Sequence, residues 1–497
     1  MYITKKTRNV IIVLTMLFVL ACSGILTVFI AWKNDFSFAN NVTFERFATQ
    51  VQELIKKYDI LDTADTADDG GALSSSPYAT KRVIVSSKAD VNSYGAIACV
   101  EGYNNLHIFQ YATEQATQRA CEYFDSLHNI DGYLVDSVIT AQSVEGDAED
   151  LEPNDSYSYS SWGATAMGVD SYSKSLEETV GASNLKEVVV AVLDSGLDSD
   201  HSWFVNRVSP YGKNFSDSTS ETACEYEDVF GHGTHVSGII CDLTLSNVKI
   251  LPIKVINDEG NGRSSEVILG INYVRELKAA GVNVCAINLS LTSINTSVGS
   301  ERYNLFNQAI TDAYNEGILS VVGAGNNGVD VVDFSPANVE KALTVSAVGL
   351  EDDSFYHPFF SNYGQYVDVC APGVDIVSAQ VGGGTVSFSG TSMATPHVSA
   401  AVALLASDSK NYTISQIEEL LKENAIDLGE EGWDSLYGEG LVNLQGIKPS
   451  APNPPEDKPT PPTNDVYWWS IALVVVVILV VIVVVVVYRI KKKKQTD

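Results

Sequence analysis

The eight residues Gly390-Thr-Ser-Met-Ala-Thr-Pro-His397 place a serine between a glycine and an apolar run. Gly390 permits a tight turn that a Cβ would hinder, and the residues from Val398 to Ala406 have a composition compatible with a helix. We therefore expect Ser392 at a helix start, where free N–H groups and the positive end of the helix dipole favour a developing negative charge. Pro396 fits a first helical turn, where a missing N–H is tolerated. A serine found alone at such a position would usually be an N-cap.

Two further segments are not explained by an N-cap. Glu187-Val-Val-Val-Ala-Val-Leu-Asp194 is a β-branched run that predicts a buried parallel strand, with Asp194 at its carboxyl end. Open α/β sheets bind their ligands at that end of the strands. The second segment, Asp228-Val-Phe-Gly-His232-Gly-Thr-His235, holds His232 between two glycines.

The order Asp194, His232, Ser392 and the three motifs around these residues resemble the subtilisin-like serine proteases, the subtilases. The resemblance runs from about Trp162 to Ile447. It implies an α/β fold, a doubly wound and mostly parallel sheet with helices on both faces. It also implies that Ser392 is the nucleophile and His232 the general base and then acid. Asp194 would hold the imidazole in one tautomer and stabilise its charged form.

Other acids and another histidine lie close to these residues in the sequence. His235 is three residues beyond His232, and the resemblance makes it a structural neighbour rather than the base. Asp198 and Asp200 follow the predicted strand and fall in the next turn. Asp194 is preferred over both because it ends the strand.

A fourth motif concerns the oxyanion. The apolar run from Ile318 ends in Gly325-Asn326-Asn327, which by itself most often indicates only a turn. The resemblance, however, makes Asn326 the oxyanion asparagine, identified by the preceding Gly325. Its amide would donate to the substrate oxygen together with the Ser392 N–H.

Two segments resemble the edges with which subtilases pair an extended peptide. Asn288-Leu-Ser290-Leu291-Thr292 would flank the pocket for the residue before the cleaved bond, and Gly260-Asn-Gly262-Arg-Ser264 would be the opposite edge. Subtilases usually carry glycine where Thr292 stands, so we expect a narrower or more polar pocket wall. Ser335-Pro336 matches a turn that often contains a cis proline.

Neither a metal nor another cofactor is predicted. The segment from Gly238 to Pro252 lacks the calcium-binding insertion of many subtilases, and the remaining acids lack a ligand spacing. The seven cysteines include no CxxC pair, and we predict no particular disulfide. Cys285 and Cys370 lie in apolar runs and are compatible with small buried hydrophobic residues.

Both ends of the chain carry apolar segments. The run Val10–Trp32 follows three basic residues and predicts either a cleaved signal peptide or a retained anchor, with Cys22 offering a weak lipidation motif. Ser470–Val487 is long enough to span a bilayer. A Tyr-Trp-Trp belt precedes it, and the basic residues after it indicate a cytoplasmic tail. We therefore expect a single-pass protein of the cell membrane, or a two-pass one if the first segment is retained, with its catalytic domain outside.

The region before the catalytic motifs predicts a small α+β unit. Lys81–Ser87 and Gly132–Ile139 read as strands and Glu114–Leu127 as a helix. This pattern is similar to the prodomain of secreted subtilases, which assists folding and then inhibits; an unrelated accessory domain is the alternative. The acidic, turn-rich residues 144–160 suit a processing linker.

These interpretations combine into one predicted organisation. The net charge of −31 favours solubility and excludes nucleic acid as a partner. We predict a membrane-anchored extracellular serine endopeptidase, made as a proenzyme, that acts on peptides or proteins and has its own prodomain as transient inhibitor. The alternative is a catalytically silent scaffold or adhesin. The predicted parts are a signal segment (1–32), a variable polar region (33–78), the prodomain (79–143), the linker (144–160), the catalytic domain (161–447), a Pro-rich stalk (448–466), a transmembrane helix (467–488) and a basic tail (489–497).

Overall fold

A computed structural model of the chain describes residues 80–101, 105–141, 144–145, 162–216, 225–294 and 305–450. All of them precede a division of the chain between Ser450 and Ala451. The predicted signal segment, polar region, transmembrane helix and basic tail lie outside these ranges, as does nearly all of the predicted linker and stalk. Within the described ranges, no helix has the length and apolar character needed to cross a membrane.

The strands and helices have the following bounds. The strands are β1 (Arg82–Ser86), β2 (Ala98–Glu101), β3 (Leu106–Gln110), β4 (Gly132–Val135), β5 (Val138–Thr140), β6 (Val144–Glu145), β7 (Val188–Asp194), β8 (Lys213–Asn214), β9 (Val248–Lys254), β10 (Asn261–Arg263), β11 (Val284–Leu289), β12 (Ser293–Ile294), β13 (Leu319–Gly323), β14 (Phe334–Ser335), β15 (Ala342–Glu351), β16 (Ser354–Tyr356), β17 (Val369–Pro372), β18 (Ile376–Ala379) and β19 (Thr385–Ser389). The α-helices are α1 (Glu114–Ser126), α2 (Trp162–Ala166), α3 (Val169–Val180), α4 (His232–Leu243), α5 (Ser264–Ala279), α6 (Leu305–Asn315), α7 (Thr391–Ser407) and α8 (Ile414–Glu423).

The central sheet has eight strands in the order β16-β15-β13-β11-β7-β9-β8, and β17 also pairs with β15. Its pairs are parallel except for β15 with β16. From β7 the chain moves to β8 and β9 on one side and returns to β11 on the other, so the strand order reverses at β7. Asp194 is the last residue of β7 and therefore lies where such folds bind ligands. The predicted doubly wound, mostly parallel sheet is confirmed.

Apolar side chains on both faces of β7 explain its uninterrupted hydrophobic sequence. Val188, Val190 and Val192 join a core that includes residues of α4 and α7. Val189, Ala191 and Leu193 join a second core that includes residues of α5 and α6. Because successive side chains of a strand point to opposite faces, each face requires its own apolar set.

Helix α7 carries Ser392 as its second residue, as the sequence predicted. Pro396 is the sixth residue and lies in the second turn, so the prediction of a first-turn position is wrong. The proline cannot donate to the Ser392 carbonyl four residues earlier. Instead, that carbonyl accepts a hydrogen bond from Ser290 Oγ at 2.8 Å, which explains why the proline is tolerated.

The other end of α7 holds the last described part of the chain. Asp408 follows the helix and is buried, and its carboxylate accepts the backbone N–H of Ser450 at 3.1 Å. Ser450 is thus bound at the end of α7 that is opposite to Ser392.

An amino-terminal module, residues 80–141, contains an antiparallel sheet in the order β2-β3-β1-β4 and the helix α1. Val83, Phe109 and Phe124 belong to a core between the sheet and α1. On the opposite face of the sheet, Ile84 and Ile108 belong to the core that includes α5 and α6. The sheet is therefore packed on both faces.

The predicted strand Gly132–Ile139 is two strands rather than one, β4 and β5. Between them, Asp136 is fully buried, and its carboxylate accepts Ser265 N at 2.9 Å and Ser265 Oγ at 2.7 Å. Arg82 Nε lies 3.1 Å from the same carboxylate. The backbone leaves the sheet at Asp136 because this side chain binds the start of α5.

Candidate active site

Asp194 and His232 form a buried pair. His232 Nδ1 lies 2.8 Å from Asp194 Oδ1 and 3.0 Å from Asp194 Oδ2. Asp194 Oδ1 also accepts the Ser195 N–H at 2.7 Å. The carboxylate therefore fixes the orientation of the imidazole and leaves Nε2 as its opposite edge.

Helix α4 begins at His232 because the loop before it supplies acceptors for its first N–H groups. Asp228 accepts Gly231 N and Thr234 N, each at 2.8 Å, and the Thr234 hydroxyl at 2.7 Å. Ser195 Oγ accepts Gly233 N at 2.8 Å. Gly231 has φ +99°, a conformation that favours glycine. These contacts fix the histidine relative to the end of β7.

The pKa of His232 is raised above its usual 6.5 by a balance of opposing effects. Burial lowers it, but the charge of Asp194, the hydrogen bond to Asp194 and the charge of Asp228 together raise it further. Stabilisation of the imidazolium is the property required of a histidine that takes up a proton during a reaction.

The neighbouring histidine is in a different environment. His235 Nε2 lies 3.1 Å from the carbonyl oxygens of Ile376 and Val386, and its ring stacks on Phe388 at 4.5 Å. Burial, and then the nearby His232, lower its pKa to about 3. It remains neutral and joins α4 to the strands β18 and β19.

The two rival acids lie away from the His232 ring nitrogen. The Asp198 carboxylate accepts Gly382 N at 2.8 Å and Asp200 N at 3.2 Å, and the Asp200 side chain is exposed. Asp194 is therefore the acid that the structure brings to the Nδ1 of His232.

Ser392 is buried at the start of α7. Its hydroxyl donates to the Ser290 carbonyl at 3.1 Å. His232 Nε2 is buried and has no hydrogen-bond partner among the residues that the structure describes. In this state, the proton acceptor and the serine hydroxyl are not joined by a hydrogen bond.

Asn326 follows β13 and is bound to the beginning of α7. Its side-chain Oδ1 accepts Thr391 N at 2.8 Å and the Thr391 hydroxyl at 3.0 Å. The Thr391 hydroxyl in turn accepts Gly325 N at 3.1 Å. Because Asn326 Oδ1 is the acceptor, Nδ2 is the atom of this amide that donates hydrogen bonds. Thr391, to which Oδ1 is bound, directly precedes Ser392.

The predicted substrate edges both pair with the chain's own residues. In β10, Gly262 is opposite Ile139 of β5 in an antiparallel register, and Gly260 O accepts Ala141 N at 3.4 Å. On the other side, Thr140 forms an antiparallel bridge with Thr292. The segment 138–141 therefore lies between the two edges. A Cβ on Gly262 would lie 2.3 Å from Val255 O, so a side chain does not fit there.

A second pairing of this part of the chain involves residues 144–145. Val144 and Glu145 of β6 pair antiparallel with Ser389 and Phe388 of β19, the strand that leads to Ser392. The sequence predicted only an acidic linker here, because a two-residue strand has no recognisable pattern.

Sequence reasoning also missed Lys254. This fully buried lysine donates to the carbonyl oxygens of Ser195 and Glu227, at 2.7 and 2.9 Å, and to Asp258 Oδ1 at 2.9 Å. It fixes the residue after Asp194. The sequence feature that could have indicated this role is a charged residue at the end of the apolar strand Val248–Lys254, because a lysine buried there requires partners.

Across the described ranges, no group of three or more His, Cys, Asp or Glu side chains is arranged to hold a metal ion. The cysteines there, at positions 99, 121, 241, 285 and 370, are all unbridged. The Ser335–Pro336 peptide bond is cis.

The chain is similar in sequence to known proteins. The Peptidase S8 subtilase family matches residues 185–440. The chain is 39% identical over 245 residues to alkaline protease 1 of Emericella nidulans, covering 47% of this chain and 57% of that protein. It is 34% identical over 292 residues to subtilisin-like protease 6 of Arthroderma gypseum, covering 58% of this chain and 68% of that protein.

Further matches extend this pattern. Subtilisin-like protease 3 of Saccharomyces cerevisiae is 33% identical over 282 residues, covering 55% of this chain and 57% of that protein. A crystal structure of a cold-adapted subtilisin-like serine proteinase matches with 30% identity and a TM-score of 0.43, covering 52% of this chain and 87% of that one. The chain spans about half the length of the curated relatives that it matches at higher identity. The family match covers more than half of the chain, and the chain belongs to the subtilase family, Peptidase S8.

Proposed function

We propose that this chain is a serine endopeptidase that hydrolyses peptide bonds through an acyl-enzyme on Ser392. The observation that carries the proposal is the buried Asp194–His232 pair, 2.8 Å apart, at the start of a helix that shares a core with the helix carrying Ser392. The protease names of its relatives support the same activity. Neither a metal nor a cofactor is needed for this chemistry.

The reaction would proceed in steps assigned to named atoms. The Ser392 hydroxyl must turn from the Ser290 carbonyl towards His232 Nε2, a change that fits sites whose reactive hydrogen bonds tighten only with substrate. His232 then takes the hydroxyl proton as Oγ attacks the peptide carbonyl, and Asp194 stabilises the imidazolium. Asn326 Nδ2 and the Ser392 N–H would donate to the oxyanion. His232 returns the proton to the leaving amine, which leaves the acyl group on Ser392 Oγ. Water then attacks this ester as His232 takes its proton, the carboxylic acid is released, and the proton returns to Ser392 Oγ.

We further propose that the chain is a proenzyme that cuts itself near Gln142–Ser143. Thr140 is paired with Thr292, which is two residues along the chain from Ser290, and the Ser290 carbonyl contacts Ser392 Oγ. The pairing of Val144 with Ser389 reaches the same region from the other side. This position is just before the predicted linker 144–160, so the mature chain would begin between Gln142 and Val144.

The amino-terminal module would then be an inhibitor that remains bound after the cut. Its sheet packs against the core formed with α5 and α6, and its segment 138–141 occupies both substrate edges. Buried side chains and backbone pairing would keep it in place until it is removed. This arrangement supports the prodomain interpretation over an unrelated accessory domain.

The location of the enzyme is a proposal from sequence. The apolar segment Ser470–Val487, with basic residues after it, would anchor the catalytic domain outside the cell membrane. The seven prolines among residues 448–463 would form an extended stalk between the two.

The test is a fluorophosphonate probe combined with amino-terminal sequencing. We expect the wild-type enzyme to be labelled at Ser392 and its mature chain to begin between Gln142 and Val144. The Ser392→Ala variant should fold, remain unlabelled, hydrolyse no peptide and keep its amino-terminal module attached. A wild-type protein that is folded but neither labelled nor active would instead support the silent scaffold.

A further inference from the structure

The loops after two neighbouring strands enclose a cleft beside Ser392. Strands β11 and β13 are parallel neighbours, and the chain continues from them as Ser290–Thr292 and Ala324–Asn326. Ser290 and Asn326 both contact the start of α7. The resemblance to subtilases implies that the segment ending in Thr292 flanks the pocket for the residue before the cleaved bond, and the side chain of that residue would then enter between these two loops.

Thr292 narrows the space between the two loops. A Cβ added to Gly325 on the opposite loop would lie 3.4 Å from Thr292 Oγ1. The hydroxyl oxygen is therefore at most roughly 5 Å from the Gly325 Cα, the sum of that contact and one carbon–carbon bond.

This spacing limits the size of an incoming side chain. Carbon atoms pack at about 3.5–4.0 Å. A flat aromatic ring between two walls therefore needs about 7 Å of space between their atoms. The cleft at Thr292 is too narrow for such a ring unless the loops separate, whereas a small or slender unbranched chain fits.

We propose that Thr292 sets the selectivity of this protease for small or unbranched side chains, such as alanine, serine and glutamine, before the cleaved bond, and excludes aromatic ones. This inference rests on the proposed endopeptidase function. The chain's own sequence agrees with it. If the chain cuts itself between β5 and β6, the residue before the cut is one of the three that separate these strands, Ala141, Gln142 and Ser143. None of the three is aromatic or branched.

The experiment uses the processed form of the full-length protein and fluorogenic peptides of the form Ile-Thr-Ala-X-Ser-Val. We expect kcat/KM for X = Phe to be at least tenfold below that for X = Gln or Ala, a size of effect typical of pocket sterics. Thr292→Gly should raise the Phe-to-Gln ratio of kcat/KM at least tenfold. Thr292→Val, which keeps the bulk and removes the hydroxyl, should leave that ratio close to the wild-type value.

The outcomes separate this inference from the proposed function. Equal hydrolysis of Phe and Gln peptides by the wild-type enzyme would overturn the inference while leaving the endopeptidase function intact. An unchanged ratio in Thr292→Gly would do the same. If no peptide were cleaved and fluorophosphonate did not label Ser392, the proposed function would fail and the inference with it.

Discussion

A single oxygen, Oδ1 of Asp194, accepts both the His232 Nδ1–H and the Ser195 N–H. Around it, Asp228 and Lys254 fix the two chain segments that carry the acid and the histidine. Each buried charge has partners, which reduces the cost of its removal from water. At this scale, the positions of the reactive atoms depend on hydrogen bonds that neighbouring residues supply.

The raised pKa of His232 predicts the acid limb of the activity profile. A base must be neutral to accept a proton, so activity falls as pH decreases through this pKa, and the midpoint in kcat/KM should lie above pH 6.5. Asp228→Asn removes one of the charges that raise the pKa and should move the midpoint to lower pH. Asp200→Asn, which neutralises an exposed acid nearby, is the control and should not move it. If the pH profile of Asp228→Asn were identical to that of the wild type, the charge of Asp228 would not contribute to the pKa of His232.

The two histidines of α4 should differ in the effect of their loss. His232→Ala removes the proposed general base and should reduce kcat by at least about 10³-fold with little change in melting temperature. His235→Ala leaves the Ile376 and Val386 carbonyls without their donor and opens a cavity beside Phe388. We expect it to lower the free energy of unfolding by roughly 2–4 kcal/mol. Thermal denaturation and peptide hydrolysis measured on both variants check this. Loss of activity in His235→Ala without loss of stability would contradict the assignment.

The sequence made these residues candidates because each lies at the end of a recognisable run. Asp194 ends a β-branched strand, Ser392 begins an apolar helix, and Asn326 follows an apolar strand. The contacts of Asp228, Lys254 and Ser290 were not predictable in the same way. They join residues that are distant along the chain, such as Ser290 and Ser392, and no local pattern encodes such a pair.

Among the helices, α5 shows how one part of the chain completes another. Its first two N–H groups, those of Ser264 and Ser265, donate to the Ser137 carbonyl at 3.0 Å and to Asp136 Oδ1 at 2.9 Å. Both acceptors come from the amino-terminal module. The residue before the helix is Arg263, whose side chain has no acceptor to offer. The sequence predicted one strand across Gly132–Ile139 because nothing local reveals that Asp136 leaves it to bind a helix.

Replacing Asp136 should weaken the attachment of the amino-terminal module. Asp136→Ala leaves Arg82 Nε and Ser265 N without their carboxylate acceptor inside the interface, and we expect the free energy of unfolding to fall by roughly 3 kcal/mol. The variant is best made in the Ser392→Ala background, where the module should stay covalently attached, and followed by thermal unfolding. Asp131→Ala, which alters an exposed acid of the same module, should have little effect. Equal melting temperatures for the two variants would show that the Asp136 contacts contribute nothing.

In the molecule as a whole, two cores on opposite faces of the central sheet stabilise the fold, and the amino-terminal sheet adds to one of them. The uninterrupted apolar sequence of β7 predicted a buried parallel strand, and the resemblance to subtilases implied the doubly wound sheet. The manner in which residues 138–141 pair with both substrate edges was not predictable, because pairing between distant edges depends on the assembled fold.

Removing the residues from 467 onward should release an active enzyme into the medium. The proposed anchor, Ser470–Val487, would be lost, and the proline-rich residues before it are too polar to contribute a packed core. Membrane fractionation and peptide hydrolysis of the truncated protein give the measurement. If the protein stays with membranes, Val10–Trp32 is retained or Cys22 is lipidated. Release without activity would show that the removed residues do more than anchor.

The two ends of α7 have a practical consequence. Ser392 is the second residue of this helix, and Asp408, which binds Ser450, follows its last residue. At 1.5 Å per residue, these positions are separated by roughly 24 Å along the helix axis. A tag or coupling group placed after Ser450 is therefore attached near the end of α7 that lies away from Ser392. Immobilised on a bead through that end, the enzyme would present its cleft to the solution, where large protein substrates can reach it.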